Sequence, residues 1–303
     1  MITRYTHRNL EWLDLESPSN DEVLSIINEF NIEPLVAEEL LLPTLKPRVE
    51  VYDSYMYVIL HFPALRHTHQ TFEQEIDFLI GKDFIITTRY DTIDPLHKFS
   101  KVFEVNSIVD KSNLGDHAGF VFYYMLKKLY KAVEHEIGYV KDSLANAEEQ
   151  IFHGKEREMV ETISVVGREL LNLRQAIEPH RDILKSIEFS AKNFFGNDFA
   201  PYLTRLTDEY YKVHNHIMRT TESLKELRET NNSLVNTKQN EVMKILTLMA
   251  FVTFPLSLIA SIFGMNTQYL PIVGKEHDFW IIMGIMFGGM LLMFSFFKHK
   301  HWL

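Results

Sequence analysis

Ile245–Phe263 reads ILTLMAFVTFPLSLIASIF, Phe279–Phe297 reads FWIIMGIMFGGMLLMFSFF, and neither stretch contains a charged residue. At about 1.5 Å of rise per residue, each spans roughly 28 Å as a helix, close to the hydrocarbon thickness of a bilayer. Core helices of soluble proteins carry a polar stripe, and these two runs carry none. The pattern predicts two transmembrane helices at the C-terminal end, with a buried hairpin of a soluble protein as the alternative reading. Only Gly264 to Asp278 separates them. Lys238 and Lys244 precede the first run, and Lys298 and Lys300 follow the second. The positive-inside rule then predicts both termini in the cytoplasm and the short loop outside. The N-terminal MITRYTHRNLEWLDLE has no apolar h-region, so no cleavable signal peptide is expected.

Composition sets further bounds. A chain of 303 residues, 46% hydrophobic and 13% aromatic, builds a core rather than a disordered tail. With Cys 0 there is no disulfide framework, zinc ribbon, iron–sulfur cluster or thiol nucleophile. The formal net charge is −10. From residue 241 onward Lys244, Lys275, Lys298 and Lys300 outweigh Glu241, Glu276 and Asp278 by one, so the part before carries −11. Such an acidic body argues against a nucleic-acid partner and raises the local concentration of cations.

Residues 1–110 mix strand and helix periods and read as an α/β domain. Val49–Tyr52 and Tyr55–Leu60 are β-branched and aromatic, while Ile76–Ile80, a turn at Gly81 and Phe84–Thr88 read as a hairpin. Ser19 opens a helical stretch in which Val23, Ile26 and Ile27 share a face. Residues 111–200 read as helical. From 201 to 263 nothing breaks a helix until Pro255, because no glycine lies between Gly196 and Gly264. Leu206, Tyr210, Val213, Ile217, Thr220, Leu224, Leu227, Asn231 and Leu234 alternate in steps of four and three, a heptad seam that predicts helix–helix packing. The expected organisation is an α+β cytoplasmic domain, a long-helix stalk (201–263) running into the first span, a loop (264–278), a second span (279–297) and a basic tail (298–303).

Enzymatic motifs are missing from the sequence. Neither Gly81-Lys82 nor Gly274-Lys275 has the upstream glycine of a P-loop, and no G-x-S-x-G or H-E-x-x-H pattern occurs. The chain is therefore not expected to be an enzyme. His214 and His216 fall on different faces of a helix and cannot chelate together. His67 and His69 share a face only if extended. The Lys298–Trp302 tail reads as an interfacial anchor.

Gly264-Met265-Asn266 ends the first apolar run, directly before the loop and the second run. In this the sequence resembles the CorA family of magnesium and cobalt transporters, whose mark is Gly-Met-Asn in that place. The likeness extends along nearly the whole chain, through Lys46–Glu50, Gly81–Thr87, Arg174 with Pro179-His180-Arg181, Asn240–Lys244 and Phe297–Leu303. Two spans cannot enclose a polar path, so transport requires an oligomeric ring. The resemblance implies a funnel-shaped homopentameric channel in the cell membrane, surrounded by lipid, with the first span lining the pore. On that span Asn240, Met243, Leu246, Ala250, Phe254, Ser257, Ser261 and Gly264 recur at helical spacing with no ionisable group among them. Such a face cannot strip tightly hydrated Mg²⁺. It can hydrogen-bond the ion's water shell through Asn266 amides and Gly264 carbonyls, while Leu246 and Phe254 form an apolar constriction. Gly284 and Gly288, four apart, suit close packing of the second span.

The resemblance further implies that cytosolic Mg²⁺ binds between subunits as a regulatory ion. The stalk position carrying a family aspartate corresponds here to Arg205, which leaves Asp208, Glu209, Glu73 and Glu75 as the expected substitutes. The family's Met-Pro-Glu loop appears as Leu270-Pro271-Ile272, leaving Glu276 and Asp278 to recruit ions. Phe254 stands where the family more often has methionine. The expected activity is gated, potential-driven passage of Mg²⁺, with Co²⁺ or Ni²⁺ also admitted and no organic cofactor. The alternative is a ZntB-type zinc transporter, with or without proton coupling; those relatives usually carry valine where Met265 stands. A third class, in which the spans merely anchor an enzyme or signalling domain, lacks a catalytic constellation in residues 1–200.

Overall fold

The computed structural model describes residues 1–63, 73–90, 93–109, 117–266, 272–274 and 276–300. Two compact units divide the chain, residues 1–229 and 230–303. The first is built on a six-stranded sheet of order β1-β2-β6-β5-β4-β3. Its strands are β1 (Ile2–His7), β2 (Leu10–Glu16), β3 (Arg48–Val51), β4 (Met56–Pro63), β5 (Glu73–Ile80) and β6 (Phe84–Arg89). All pairings are antiparallel except β2 with β6.

The expected hairpin is β5–β6. Its turn closes through the Gly81 N–H donating to the Phe84 carbonyl at 2.9 Å. A Cβ at Gly81 would lie 2.3 Å from the Phe84 ring, so a side chain there would have to displace that ring. The N-terminal hairpin β1–β2 and its parallel pairing to β6 are not anticipated by the sequence pattern.

One sheet face packs Leu13, Leu15, Tyr57, Ile59, Leu79 and Ile86 against α1 (Asn20–Phe30) and α2 (Pro34–Glu39), which contribute Val23, Ile26 and Val36. A reciprocal capping box at Ser19 and Glu22 starts α1 where expected. Of its predicted face, Val23 and Ile26 are buried and Ile27 is partly so.

The opposite face carries Trp12, Phe62 and Phe78 toward α3 (Asp94–Val109), α4 (Ala118–Phe152), α5 (Met159–Ile177) and α6 (His180–Phe195). Across β2 and β6 runs a buried polar network on this face. Trp12 Nε1 donates to Thr87 Oγ1 at 2.9 Å, and Thr87 Oγ1 donates to Asp14 at 2.8 Å. Arg89 reaches Asp14 at 3.0 Å and Glu16 at 3.0 Å.

α7 (Ala200–Phe263) is one helix of 64 residues. Every residue of the expected heptad seam from Leu206 to Asn231 is buried, and Leu234 is half-buried. Its partners within residues 1–229 are α4 and α5 of the same chain. The rings of Tyr130 and Tyr210 approach to 6.4 Å, Lys212 pairs with Glu134 at 2.9 Å, and a Cβ at Gly167 would touch Leu224 at 3.4 Å. The seam therefore builds an intrachain helix bundle.

In the second unit, the apolar part of α7 and α8 (Asp278–His299) have mean hydropathies of 2.2 and 2.1 in windows that are 0% buried within the chain. A hairpin folded into a soluble core would be covered; these helices are bare. Lys298 and His299 in the last turn of α8 complement its carbonyl end.

Candidate functional site

The residues expected to line a pathway lie on one side of α7. At about 100° per residue, Asn240, Met243, Leu246, Ala250, Phe254, Ser257, Ser261 and Gly264 fall within an arc of roughly 120°. In the single chain this stripe is uncovered, with Phe254 73% exposed. Thr247 falls in the same arc, a residue the sequence reading passed over. Its hydroxyl donates to the Met243 carbonyl at 2.7 Å, which leaves the oxygen's lone pairs free to accept from water. Thr253 behaves likewise, donating to Met249 at 3.0 Å. The helix continues through Pro255, whose ring nitrogen has no proton to give the Phe251 carbonyl.

α7 terminates at the Gly-Met-Asn tripeptide. The Gly264 N–H donates to the Ala260 carbonyl at 2.9 Å and that of Met265 to Ile262 at 3.3 Å. Gly264 is not among the residues of positive φ, so its own backbone does not demand glycine. What its lack of a side chain provides is an uncovered backbone at the helix end, beside the exposed Asn266 amide.

The loop beyond contains Gly274 at φ +94°, a left-handed conformation that suits glycine. Asp278 accepts from the Gly274 N–H at 3.0 Å and the Phe279 N–H at 2.7 Å. Asp278 thus closes the loop onto the start of α8, whereas Glu276 is exposed. At Gly284 and Gly288 an added Cβ would meet nothing within 4 Å, so that face of α8 is open.

Asp208 is exposed and Glu209 half-buried on α7. Glu75 is buried on β5, accepting from the Thr44 N–H at 2.7 Å and facing His61 Nε2 at 3.0 Å; Glu73 faces the other ring nitrogen at 3.4 Å. Among the described residues no three or more His, Asp or Glu assemble into a metal site within one chain. His216 faces Glu134 at 3.8 Å while the His214 ring lies against Tyr210, so the two histidines diverge as their spacing requires. His67, His69 and the tail from His301 lie outside the described residues.

Beside Glu75, Asp77 is fully buried with the Tyr90 and Tyr57 hydroxyls at 3.4 and 3.5 Å. Burial, reinforced by Glu75, raises its carboxyl well above the usual 3.8. Asp77 therefore favours the folded state below about pH 3.8 and loses that contribution as pH rises through its folded value. The carboxylates flanking His61 outweigh its burial and raise it above 6.5, so its contribution is full below 6.5 and lost above its folded value. Both push stability down as pH rises, Asp77 from about 3.8 upward and His61 from about 6.5 upward. Asp77→Asn should flatten the decline in melting temperature that begins as pH rises above 3.8. An unchanged slope would show that Asp77 does not titrate with folding.

An α/β unit, a helix of 64 residues and two bare apolar helices joined by a short loop define a two-span membrane protein with a large water-soluble body. The chain belongs to the family of CorA-like Mg²⁺ transporter proteins, whose model matches residues 8–299. It is 25% identical over 297 residues to the cobalt/magnesium transport protein CorA of Thermotoga maritima, covering 96% of this chain and 83% of that protein. Its fold matches the complete structure of the CorA magnesium transporter from Methanocaldococcus jannaschii at a TM-score of 0.85 and 20% identity, covering 99% and 93% of the two chains. The ZntB cytoplasmic domain from Vibrio parahaemolyticus is a more distant likeness in fold, at TM-score 0.55 and 13% identity over 77% of this chain and 88% of that domain.

Proposed function

We propose that the chain forms a homopentamer in the cell membrane, with both termini cytoplasmic, and carries Mg²⁺ inward through a gated, potential-driven pathway that also admits Co²⁺ or Ni²⁺. The observation that carries this reading is the uncharged stripe of α7 that ends in Gly264-Met265-Asn266, in a chain whose family match runs from residue 8 to 299.

Five copies of that stripe would face one another. Mg²⁺ gives up its water reluctantly, and no carboxylate on the stripe offers to replace it. Asn266 amides and Gly264 carbonyls instead hydrogen-bond the hydrated ion at the outer end, and Asn240 does so at the inner end. Between them Leu246 and Phe254 narrow the path, and an apolar narrowing closes by shedding its water. Moving two charges down an inside-negative potential releases about 4.6 kcal/mol per 100 mV, so no nucleotide hydrolysis is needed for uptake.

Closure falls to the cytoplasmic body. Asp208, Glu209 and Glu73 are sufficiently accessible to bridge Mg²⁺ between neighbouring copies, while Glu75 is already held by Thr44 and His61. Glu276 is the exposed loop carboxylate that can gather cations at the entrance; Asp278 is committed to the loop.

Proteoliposomes loaded with a Mg²⁺ indicator test the reading. Mg²⁺ should enter under an imposed inside-negative potential, and Asn266→Ala should cut the rate at least about tenfold, since each copy loses a hydrogen-bonding group. Absence of entry, or full entry through Asn266→Ala, overturns the proposal. Zn²⁺ flux that depends on a pH gradient and exceeds that of Mg²⁺ would instead assign the zinc reading.

A further inference from the structure

Three lysines and a histidine converge on one groove between α3 and α4: Lys98 from α3, and Lys128, Lys131 and His135 from α4. The groove has a volume of about 240 Å³, and among the described residues no carboxylate lines it, although the chain as a whole carries −10. All four side chains are exposed. Among the described residues none of the three lysines has an ion-pair or hydrogen-bond partner. Neighbouring Lys127 is accounted for separately, its ammonium lying 5.8 Å from the centre of the Tyr123 ring.

Lys128, Lys131, Ala132 and His135 stand at i, i+3, i+4 and i+7 and so share one face of α4, beside the buried face of Leu129, Tyr130, Val133 and Ile137. That exposed face presents like charge toward Lys98 on the opposite wall, a repulsion that a bound anion relieves. Lysine ammonium groups are point-charge binders of phosphate. The volume falls below the roughly 300–1,000 Å³ that takes a drug-sized organic molecule, so it suits a run of phosphate groups and not a whole nucleotide. Pro95, Phe99, Val102 and Ala132 supply the apolar part of the lining, below the charged rim.

We propose that the α3–α4 groove binds a linear triphosphate chain, free or as the tail of a nucleoside triphosphate, in its Mg²⁺-free form. The preference for the metal-free form follows from the lining. With no carboxylate among the described lining residues to share the metal, Mg²⁺ on the phosphates neutralises the oxygens that the lysines need. Mg²⁺ and the groove therefore compete for one ligand.

Equilibrium titration of the full-length chain in detergent, with ATP and with inorganic triphosphate, each in EDTA or in excess Mg²⁺, tests this. The Mg²⁺-free forms should bind about tenfold tighter than the complexes, and the affinity should fall as salt is added. Lys128→Gln/Lys131→Gln should weaken binding about tenfold at an unchanged melting temperature, and Lys98→Gln on the other wall should weaken it independently. Equal affinities for ATP and triphosphate place recognition in the phosphates; tighter ATP adds a base contact outside the cavity. Absence of saturable binding, wild-type affinity in all variants, or tighter binding of the Mg²⁺ complex overturns the proposal. So does binding in nanodiscs that follows anionic lipid rather than triphosphate. None of these readouts involves ion flux, so they stand or fall apart from the transport reading.

Discussion

Asp14→Ala should destabilise the unit formed by residues 1–229 by about 3–5 kcal/mol, the usual cost of breaking one side of a buried ion pair. Asp14 lies opposite Thr87 in the parallel β2–β6 pair and Arg89 reaches it diagonally, both charged side chains being nearly inaccessible to water. One Asp14 oxygen accepts from the Arg89 Nη2 at 3.0 Å and the other from Thr87 at 2.8 Å. Glu16, half in solvent, cannot by itself replace a buried counter-charge. The alanine variant leaves Arg89 short of its main partner and removes the acceptor that orients Thr87 and, through it, Trp12. Asp14→Asn keeps oxygen and shape but loses charge, and should cost less. Thermal unfolding of the full chain in detergent, followed by circular dichroism, separates these outcomes. Equal shifts for both variants would show that charge is not what the network uses.

His180→Ala should cost about as much, roughly 3–5 kcal/mol, by a different route. The ring is fully buried, and its Nε2 lies 2.8 Å from the His61 carbonyl, which can only accept. That nitrogen must carry the proton, so Nδ1 accepts from the Tyr130 hydroxyl at 2.9 Å. One neutral imidazole thereby joins α6, α4 and β4. Alanine leaves a void and two buried polar groups without partners. Burial also lowers the ring's pKa to about 4 from 6.5. The folded state then binds fewer protons than the unfolded state across that window, so stability falls as pH drops from 6.5 toward 4, by about 3 kcal/mol in all. His180→Gln can still donate and accept but does not titrate, and should flatten this acid limb. If the limb survives in His180→Gln, the loss belongs to other groups.

Much of this fold is legible in local patterns. The two apolar runs need no partner to declare themselves, and the seam from Leu206 to Asn231 is visible because its steps of four and three persist for seven turns. What the seam cannot reveal is whose helix it meets. A heptad seam reads the same toward a second copy as toward α4 and α5 of its own chain. The hairpin β5–β6 shows itself through Gly81, whereas β1–β2 turns at Arg8-Asn9 without a glycine, Arg8 taking φ +54° instead. β2 pairs with β6 some seventy residues away, so neither the parallel register nor the Asp14–Arg89 contact leaves a mark in either segment alone. The stripe on α7 is readable as spacing. Which of its hydroxyls turn back to the backbone, as Thr247 does, depends on rotamers that no spacing records. Asp278 and Glu276 look equivalent as loop carboxylates, and only geometry separates the one that staples the turn from the one left in solvent.

The passage of α7 through Pro255 has a mechanical consequence. A helix resists bending because each turn is tied to the next by several parallel bonds, and here one tie is missing where the rod would otherwise be uniformly stiff. The Phe251 carbonyl, with no helical donor, is free to lean outward, so compliance is concentrated within a single turn. Phe254 is the residue next to that soft point. A bend there would re-aim the large ring of Phe254, the bulkiest side chain of the stripe, relative to the stripe residues on the far side of Pro255.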